Sequence, residues 1–301
     1  MIRVGIDLGT NTALMVVATV DADGSVQVLD DIHDVPRLGE GLDASGRISA
    51  AAIDRAATAF RRFRAIVDAR RPDHLRIVAT SAMREASNGA DVRRHLEEII
   101  GCPIDVIDGN EEARLTFLGS VGTRPQNTLM IDIGGGSTEY AIGAHGSVVD
   151  AISTPIGAVR LTERFATERP ISASSVHEAR AFIREHLGPF AASSGAIDAV
   201  VGVAGTPTAL AMMDLHLTSF DPEIVEGHRL SRDRVGEMAD WLTGLSLDDL
   251  RAIPGLHERR ADIVPMGAVI LHTSLVLFNA PFVDVTVRGL RFGAMLTSTS
   301  H

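Results

Sequence analysis

A repeated strand-and-turn constrains this chain more than any other feature. Val4-Gly5-Ile6-Asp7-Leu8-Gly9 returns in the second half of the 301 residues as Leu129-Met130-Ile131-Asp132-Ile133-Gly134. Each copy is an apolar run that ends in an aspartate and a glycine, passes a small or polar turn, and resumes as a second apolar run. A likeness this short is cheap to find, so the order of the surrounding elements has to decide. In the first half, 4–7 and 14–18 read as strands, and 26–32 as a third after a hairpin turn at Asp21-Ala22-Asp23-Gly24. Ser49 is the expected N-cap of a helix to about residue 70, whose Ile53, Ala56, Phe60, Phe63 and Val67 share one stripe. A strand at 75–79, a helix at 91–100, a strand at 104–107 and a helix at 111–119 follow. The second half again opens with three strands, 129–134, the strand after its turn, and 147–153. Helices at 158–167 and 172–187, a strand at 199–203 and helices through to 280 complete it. Three strands and then alternating helices and strands, twice over, predict a duplicated α/β fold of mixed sheets with helices packed on them. The expected domains are 1–124 joined by a last helix at about 290–301, and 125–289, with the site in a cleft between them.

The chain is long enough for two such cores. Its 45% hydrophobic and 22% charged content is that of a globular protein. The longest apolar stretch, 263–280, is interrupted by Pro265, His272, Thr273, Ser274 and Asn279, and Asp7 breaks the start of the chain, so neither a membrane span nor a signal peptide is expected and the default address is cytoplasmic. Cys102 is the single cysteine, which excludes an internal disulfide and a thiolate zinc cluster. A net charge of −11 argues against nucleic acid as a partner. It would also repel a polyanion unless cations are gathered locally. All 28 basic residues are arginines. P-loop NTPases and protein kinases each need a lysine on the nucleotide phosphates, so both classes are excluded.

Chemistry concentrates at a few turns. Asp7-Leu8-Gly9-Thr10-Asn11-Thr12 lies between two strands, where consecutive backbone N–H groups and small side chains let a phosphate approach. Asp7 at the strand end is suited to a metal-bound water; a hairpin whose Asp and Asn only satisfy turn amides is the plainer reading. Asp132-Ile133-Gly134-Gly135-Gly136-Ser137-Thr138-Glu139 is the stronger signal. Three glycines suggest unusual torsions or close ligand contact, and Asp132 and Glu139 bracket them with carboxylates. Gly202-Val203-Ala204-Gly205-Thr206-Pro207-Thr208 leaves a strand and opens a helix, whose first N–H groups can face an anion. Glu111 and Glu112 sit in the first turn of a helix, where acids simply complement the dipole. Adjacent helical residues point about 100° apart, so one acid can reach a site while the other meets solvent or an arginine, and periodicity does not choose. Arg84 follows a buried strand, where ligands of open α/β sheets bind.

Taken together these segments resemble the exopolyphosphatase/guanosine-pentaphosphatase (Ppx/GppA) family in its short form. The resemblance rests on 7–12, Thr80-Ser81-Ala82-Met83-Arg84, Gly109-Asn110-Glu111-Glu112-Ala113-Arg114-Leu115, 132–139 and 202–206. Weaker likenesses are Leu38-Gly39-Glu40-Gly41-Leu42, Gly157-Ala158-Val159-Arg160-Leu161-Thr162-Glu163 and Arg260-Ala261-Asp262. The hairpins alone are shared with sugar kinases, acetate kinases, actins and heat-shock ATPases; the 109–115 segment makes the likeness specific.

The resemblance implies a two-domain actin-like, ribonuclease-H-like fold. It implies hydrolysis of terminal phosphate from inorganic polyphosphate or guanosine pentaphosphate. Glu112 would activate water and Arg84 would hold the terminal phosphate. Gly9, Thr10, Asn11, Gly134, Gly135, Gly136, Ser137, Gly205 and Thr206 would bind phosphate, and Mg²⁺ or Mn²⁺ would sit near Asp7, Asp132 and Glu139. A homodimer is common in the family, and the apolar helix around 269–278 is available to support one or to form core. Phe292 departs from the pattern, standing where the family often has an acid. The competing readings are a small-molecule kinase of the same fold and a sensor that binds these phosphates without cleaving them. An arginine cluster at Arg55, Arg61, Arg62, Arg64, Arg70 and Arg71 reads as a solvated helix face, or as a polyanion path.

Overall fold

The computed structural model describes residues 1–21 and 24–297 and divides the chain into two units. Met1–Gly119 and the segment from Leu290 form the first, and Ser120–Gly289 the second. Ala22 and Asp23 of the expected hairpin turn, and 298–301 of the expected last helix, lie outside the described residues.

The first sheet is built from β1 (Ile2–Leu8), β2 (Ala13–Val20), β3 (Val26–Asp34), β4 (His74–Ala79) and β5 (Asp105–Val106) in the order β3-β2-β1-β4-β5. β1, β2 and β3 are antiparallel neighbours, while β4 and β5 run parallel to β1. Period-two alternation sets the faces. Val4, Ile6 and Leu8 are buried in a core shared with Met15, Val17, Phe60 and Phe63. Phe60 and Phe63 come from α2 (Ala50–Arg70), which follows the short α1 (Leu42–Ser45). Ser49 caps α2 by accepting from the Ala52 N–H at 3.2 Å, and the buried stripe is Ala56, Phe60 and Phe63, with Ile53 and Val67 half-buried. Then come α3 (Ser81–Glu85), α4 (Gly89–Ile100) and α5 (Gly109–Ser120). The other face of β1 is covered by the C-terminal helix Leu290–Leu296. It approaches so closely that a Cβ at Gly5 would run into the Arg291 carbonyl oxygen.

The second unit repeats this plan. β6 (Thr128–Ile133), β7 (Thr138–Ala144), β8 (Ser147–Thr154), β9 (Ala199–Val203), β10 (Arg229–Ser231) and β11 (Phe282–Val285) order as β8-β7-β6-β9-β11-β10. The first five match the first sheet in order and in direction, and β10 adds an antiparallel edge strand. The helices are α6 (Ala158–Phe165), α7 (Ala173–Ser193), α8 (Gly205–Asp214), α9 (Pro222–Val225), α10 (Arg232–Thr243), α11 (Leu247–Arg251) and α12 (Val264–Leu277), with α13 (Leu290–Leu296) returning to the first unit.

The structure corrects several expectations. The stretch to 280 is not all helical: β10 interrupts it, with only Leu230 apolar and therefore no readable alternation. β11 lies just beyond, after Pro281, and is four residues long. α12 is buried along most of its length in the second core, while Val276 near its end is exposed and Leu277 and Phe278 are partly so. Three of the six clustered arginines are paired: Arg55 with Glu40, Arg64 with Asp68 and Arg70 with Asp30. Phe292, a departure from the family pattern, is buried against Val16, Ala18 and Met295. Among the described residues, no helix is long and apolar enough to cross a membrane.

Candidate active site

In both units the singled-out residues stand at the carboxyl ends of the parallel strands, where ligands of open α/β sheets bind. Hairpin 7–12 leaves β1, Arg84 is on α3 just after β4, and Glu112 is on α5 just after β5. Hairpin 132–139 joins β6 to β7, and the 204–206 turn leaves β9 beside it, with Asp132 in register with Val203.

The two hairpins are the same object. Gly9 N–H donates to Thr12 O at 2.9 Å and Gly134 N–H donates to Ser137 O at 3.0 Å, each two residues past its aspartate. Neither Gly9 nor Gly134 has left-handed backbone, and a Cβ at Gly134 would stand 2.9 Å from the Ser137 carbonyl oxygen, so the turn's own backbone leaves no room for a side chain there. The carbonyls of both turns are occupied. In the first, Thr10 O accepts from Gly39 N–H at 2.8 Å and Asn11 O from Arg37 N–H at 3.0 Å. In the second, Gly134 O accepts from Ala158 N–H and Gly135 O from Val159 N–H, both at 2.9 Å, and Gly136 O accepts from the Arg160 Nε–H at 2.9 Å. Among the described residues, no hydrogen bond takes the N–H of Thr10, Asn11, Gly135 or Gly136. Consecutive backbone N–H groups without an internal acceptor are the donors that an anion nest uses. Asn11 is buried with its Oδ1 unpaired, and a flipped amide would present its NH₂ there instead.

The two acids of α5 separate as helical geometry requires. Asp108 caps the helix, its Oδ1 accepting from the Glu111 N–H at 2.9 Å. Glu111 turns to Arg114 at 2.7 Å and Arg76 at 3.6 Å; burial pushes its carboxyl up, but the Arg114 hydrogen bond outweighs that and holds it below the usual range. Glu112 turns inward, 6% exposed, with Arg84 Nη1 3.4 Å from its Oε2. The same Nη1 donates to Ile107 O at 2.6 Å, which fixes the guanidinium beside the carboxylate.

In the second unit Asp132 and Glu139 are directly opposite in the β6–β7 ladder, so both carboxylates leave the same face of the sheet. They are 8% and 1% exposed, and Ser153 donates to Glu139 Oε1 at 2.6 Å. Like charges directly opposite are unfavourable unless a cation offsets them. Asp7, at the equivalent place in the first hairpin, faces Leu14. Among the described residues no three of His, Cys, Asp and Glu gather into a metal-holding group. Two carboxylates with hydroxyls nearby do fit a hard divalent cation that keeps most of its waters and takes phosphate oxygens, as Mg²⁺ does.

At the 204–206 turn Ala204 holds φ 73° and ψ −163°, a region that side-chain-bearing residues rarely enter. The Thr206 side chain is seated against Gly267 of α12, so this residue has its N–H rather than its hydroxyl to offer a ligand. Pro207 has no N–H, leaving those of Gly205 and Thr206 at the start of α8. A Cβ at Gly205 would lie 2.8 Å from Nη1 of Arg260. Arg260 thus adds positive charge beside the positive end of α8, a combination that favours an anion there. Arg160 and Arg260 are the functional candidates that motif reading passed over. Both occur in the weaker likenesses to the family, and neither lies in a glycine turn.

A duplicated sheet of this order is the actin-like fold. Within that class the chain belongs to the Ppx/GppA phosphatase family, whose model matches residues 16–301. It is 33% identical over 280 residues to exopolyphosphatase 2 of Mycobacterium tuberculosis, covering 88% of this chain and 87% of that protein. The crystal structure of an exopolyphosphatase-like protein matches with a TM-score of 0.92 at 34% identity, over 97% of this chain and 96% of the other. That of an exopolyphosphatase from Cytophaga hutchinsonii matches with a TM-score of 0.87 at 28% identity, over 96% and 94%.

Proposed function

We propose that this chain is an exopolyphosphatase, removing terminal orthophosphate from inorganic polyphosphate, with guanosine pentaphosphate as a second candidate substrate. The observation that carries the reading is Glu112, a buried carboxylate held beside Arg84 at the end of β5 while its neighbour Glu111 is diverted to Arg114 and Arg76. A pure phosphate binder has no use for such an acid. The relatives named for exopolyphosphatase activity support the same substrate class.

In the proposed reaction a water oxygen attacks the terminal phosphorus, the bridging P–O bond breaks, and the shortened chain leaves with the electron pair. Glu112 accepts the proton of the attacking water and sets its direction. Arg84 offsets charge on the equatorial oxygens; the N–H groups of Thr10 and Asn11 in the first unit, and those of Gly135, Gly136, Gly205 and Thr206 with Ser137 in the second, are each suited to hold phosphate oxygens. Asp132 and Glu139 would hold Mg²⁺ or Mn²⁺, which when bound neutralises phosphate charge. Asp7 is proposed to hold a water of the metal.

The test is orthophosphate release from long-chain polyphosphate and from guanosine pentaphosphate, each with Mg²⁺, with Mn²⁺ and with a chelator. Metal-dependent release from polyphosphate is expected, and the ratio of the two rates names the preferred substrate. Glu112→Gln is expected to lose on the order of 10²-fold or more in kcat with its folding unchanged. Near-full activity in that variant would remove the mechanism. Phosphate binding without release would make the protein a sensor, and transfer from ATP to a sugar or acetate would make it a kinase.

A further inference from the structure

The proposed hairpins need their N–H groups turned toward a ligand, and a peptide can present its N–H outward only if its C=O is held on the other side. The glycine hairpin has little intrinsic stiffness, because residues without a Cβ populate many backbone states. Something outside the turn must therefore select one of them.

That selection is visible in both units. The segment after the third strand of each sheet reaches back to the turn and takes its carbonyls. After β3, Arg37 and Gly39 donate their backbone N–H groups to Asn11 O and Thr10 O. After β8, the first turn of α6 donates to Gly134 O and Gly135 O. The contact is close enough that a Cβ at Gly39 would run into the Thr10 side chain, and one at Gly157 into the Gly135 carbonyl. These are the Leu38–Leu42 and Gly157–Glu163 segments that no catalytic role has claimed. The two clamps differ in two respects. The second hairpin also has its Gly134 carbonyl held, and Gly136 O, the counterpart of Asn11 O, is held by a side chain, the Nε–H of Arg160, where Asn11 O is held by a backbone N–H.

We infer that Arg160 is a positioning residue for the phosphate hairpin of the second unit. By holding the Gly136 carbonyl it fixes the Gly136–Ser137 peptide plane with the Ser137 N–H toward the terminal phosphate, while the α6 backbone sets the two planes before it. This deepens the proposed phosphatase reading and rests on it. The role is distinct from phosphate contact. If Arg160 acts only on the hairpin, a mis-set hairpin misaligns the reacting phosphoryl group and leaves chain affinity nearly intact.

Arg160→Met and Arg160→Lys separate the possibilities. Arg160→Met is expected to lose on the order of tenfold in kcat on long-chain polyphosphate, with KM within about twofold of wild type and the thermal midpoint nearly unchanged. Arg160→Lys keeps a donor on the carbonyl without the planar fork and is expected to return to within about threefold of wild type. Wild-type kcat in Arg160→Met would overturn the inference. So would a rise in KM at constant kcat, which would mean direct substrate contact, or a loss that lysine does not recover. If the wild-type protein releases no phosphate at all, the phosphatase reading fails, and amide exchange at Gly136 and Ser137 by NMR then tests the clamp alone. Exchange at least about tenfold faster in Arg160→Met, from loss of the local constraint, supports it; unchanged exchange sinks it.

Discussion

A single backbone torsion stores strain at the candidate site. Ala204 is held at φ 73° and ψ −163° between the last residue of β9 and the first of α8, a conformation that costs roughly 1–3 kcal/mol for a residue with a Cβ. Glycine enters this region freely and gives back part of the gain through its larger unfolded-state entropy. Ala204→Gly is therefore expected to raise stability by about 1 kcal/mol, seen as a higher urea midpoint. Ala204→Val, with a branched Cβ in the same torsion, is expected to lower it. A lower midpoint for the glycine variant would mean that the alanine methyl makes contacts worth more than the strain. At this same scale lies the choice between Glu111 and Glu112. Sequence shows only that two neighbours on a helix diverge. The partners that settle which one turns inward, Arg76 from β4 and Arg84 from α3, come from other elements.

Among the elements, α13 and α5 meet without a spacer. A Cβ at Gly293 would run into the Leu115 carbonyl oxygen, so the two helices touch through backbone, and α5 carries Glu112 in its first turn. Gly293→Ala is expected to destabilise by about 1–3 kcal/mol, the usual cost of overpacking, and to lower kcat as α5 shifts. Unchanged thermal midpoint and kcat would show that α13 yields instead. The strands and long helices were legible beforehand where local signals are strong: alternation in β1, the apolar run of β6, and the Ser49 cap and apolar stripe of α2. The duplicated hairpins could be paired by eye for the same reason. What escaped was set by distant partners. β10 has one buried apolar residue and exists because β11 pairs with it. α3 is five residues long, without a side-chain cap. The carbonyl clamps join turns to segments far along the chain, and no periodicity announces them.

For the whole molecule, acid should separate a local effect from a global one. With a net charge of −11, mild acidification first relieves self-repulsion, which favours the folded state. Against that general gain stands one buried pair joining residues near the two ends of the chain. Arg291 of α13, 4% exposed, donates from Nε at 2.9 Å and Nη2 at 2.8 Å to the two oxygens of Asp31 in β3. Burial pushes the Asp31 carboxyl up, but the hydrogen bond with His33 and the charge and hydrogen bonds of Arg291 outweigh it and hold it down to about 2. A carboxyl depressed on folding contributes its full stability above its unfolded value of 3.8 and loses it as pH falls through about 2. The contribution at neutral pH is about 2 kcal/mol, which should drain away between pH 4 and 2. Urea midpoints measured from pH 6 to 2 on wild type and Asp31→Asn test this, because the shared self-repulsion cancels in the difference. The gap between the two proteins is expected to be constant above pH 5 and to narrow steadily below pH 4. A gap that stays constant down to pH 2 would show that Asp31 is not held in its charged form by α13, and that the C-terminal helix is secured by its packing on β1 and α5 alone.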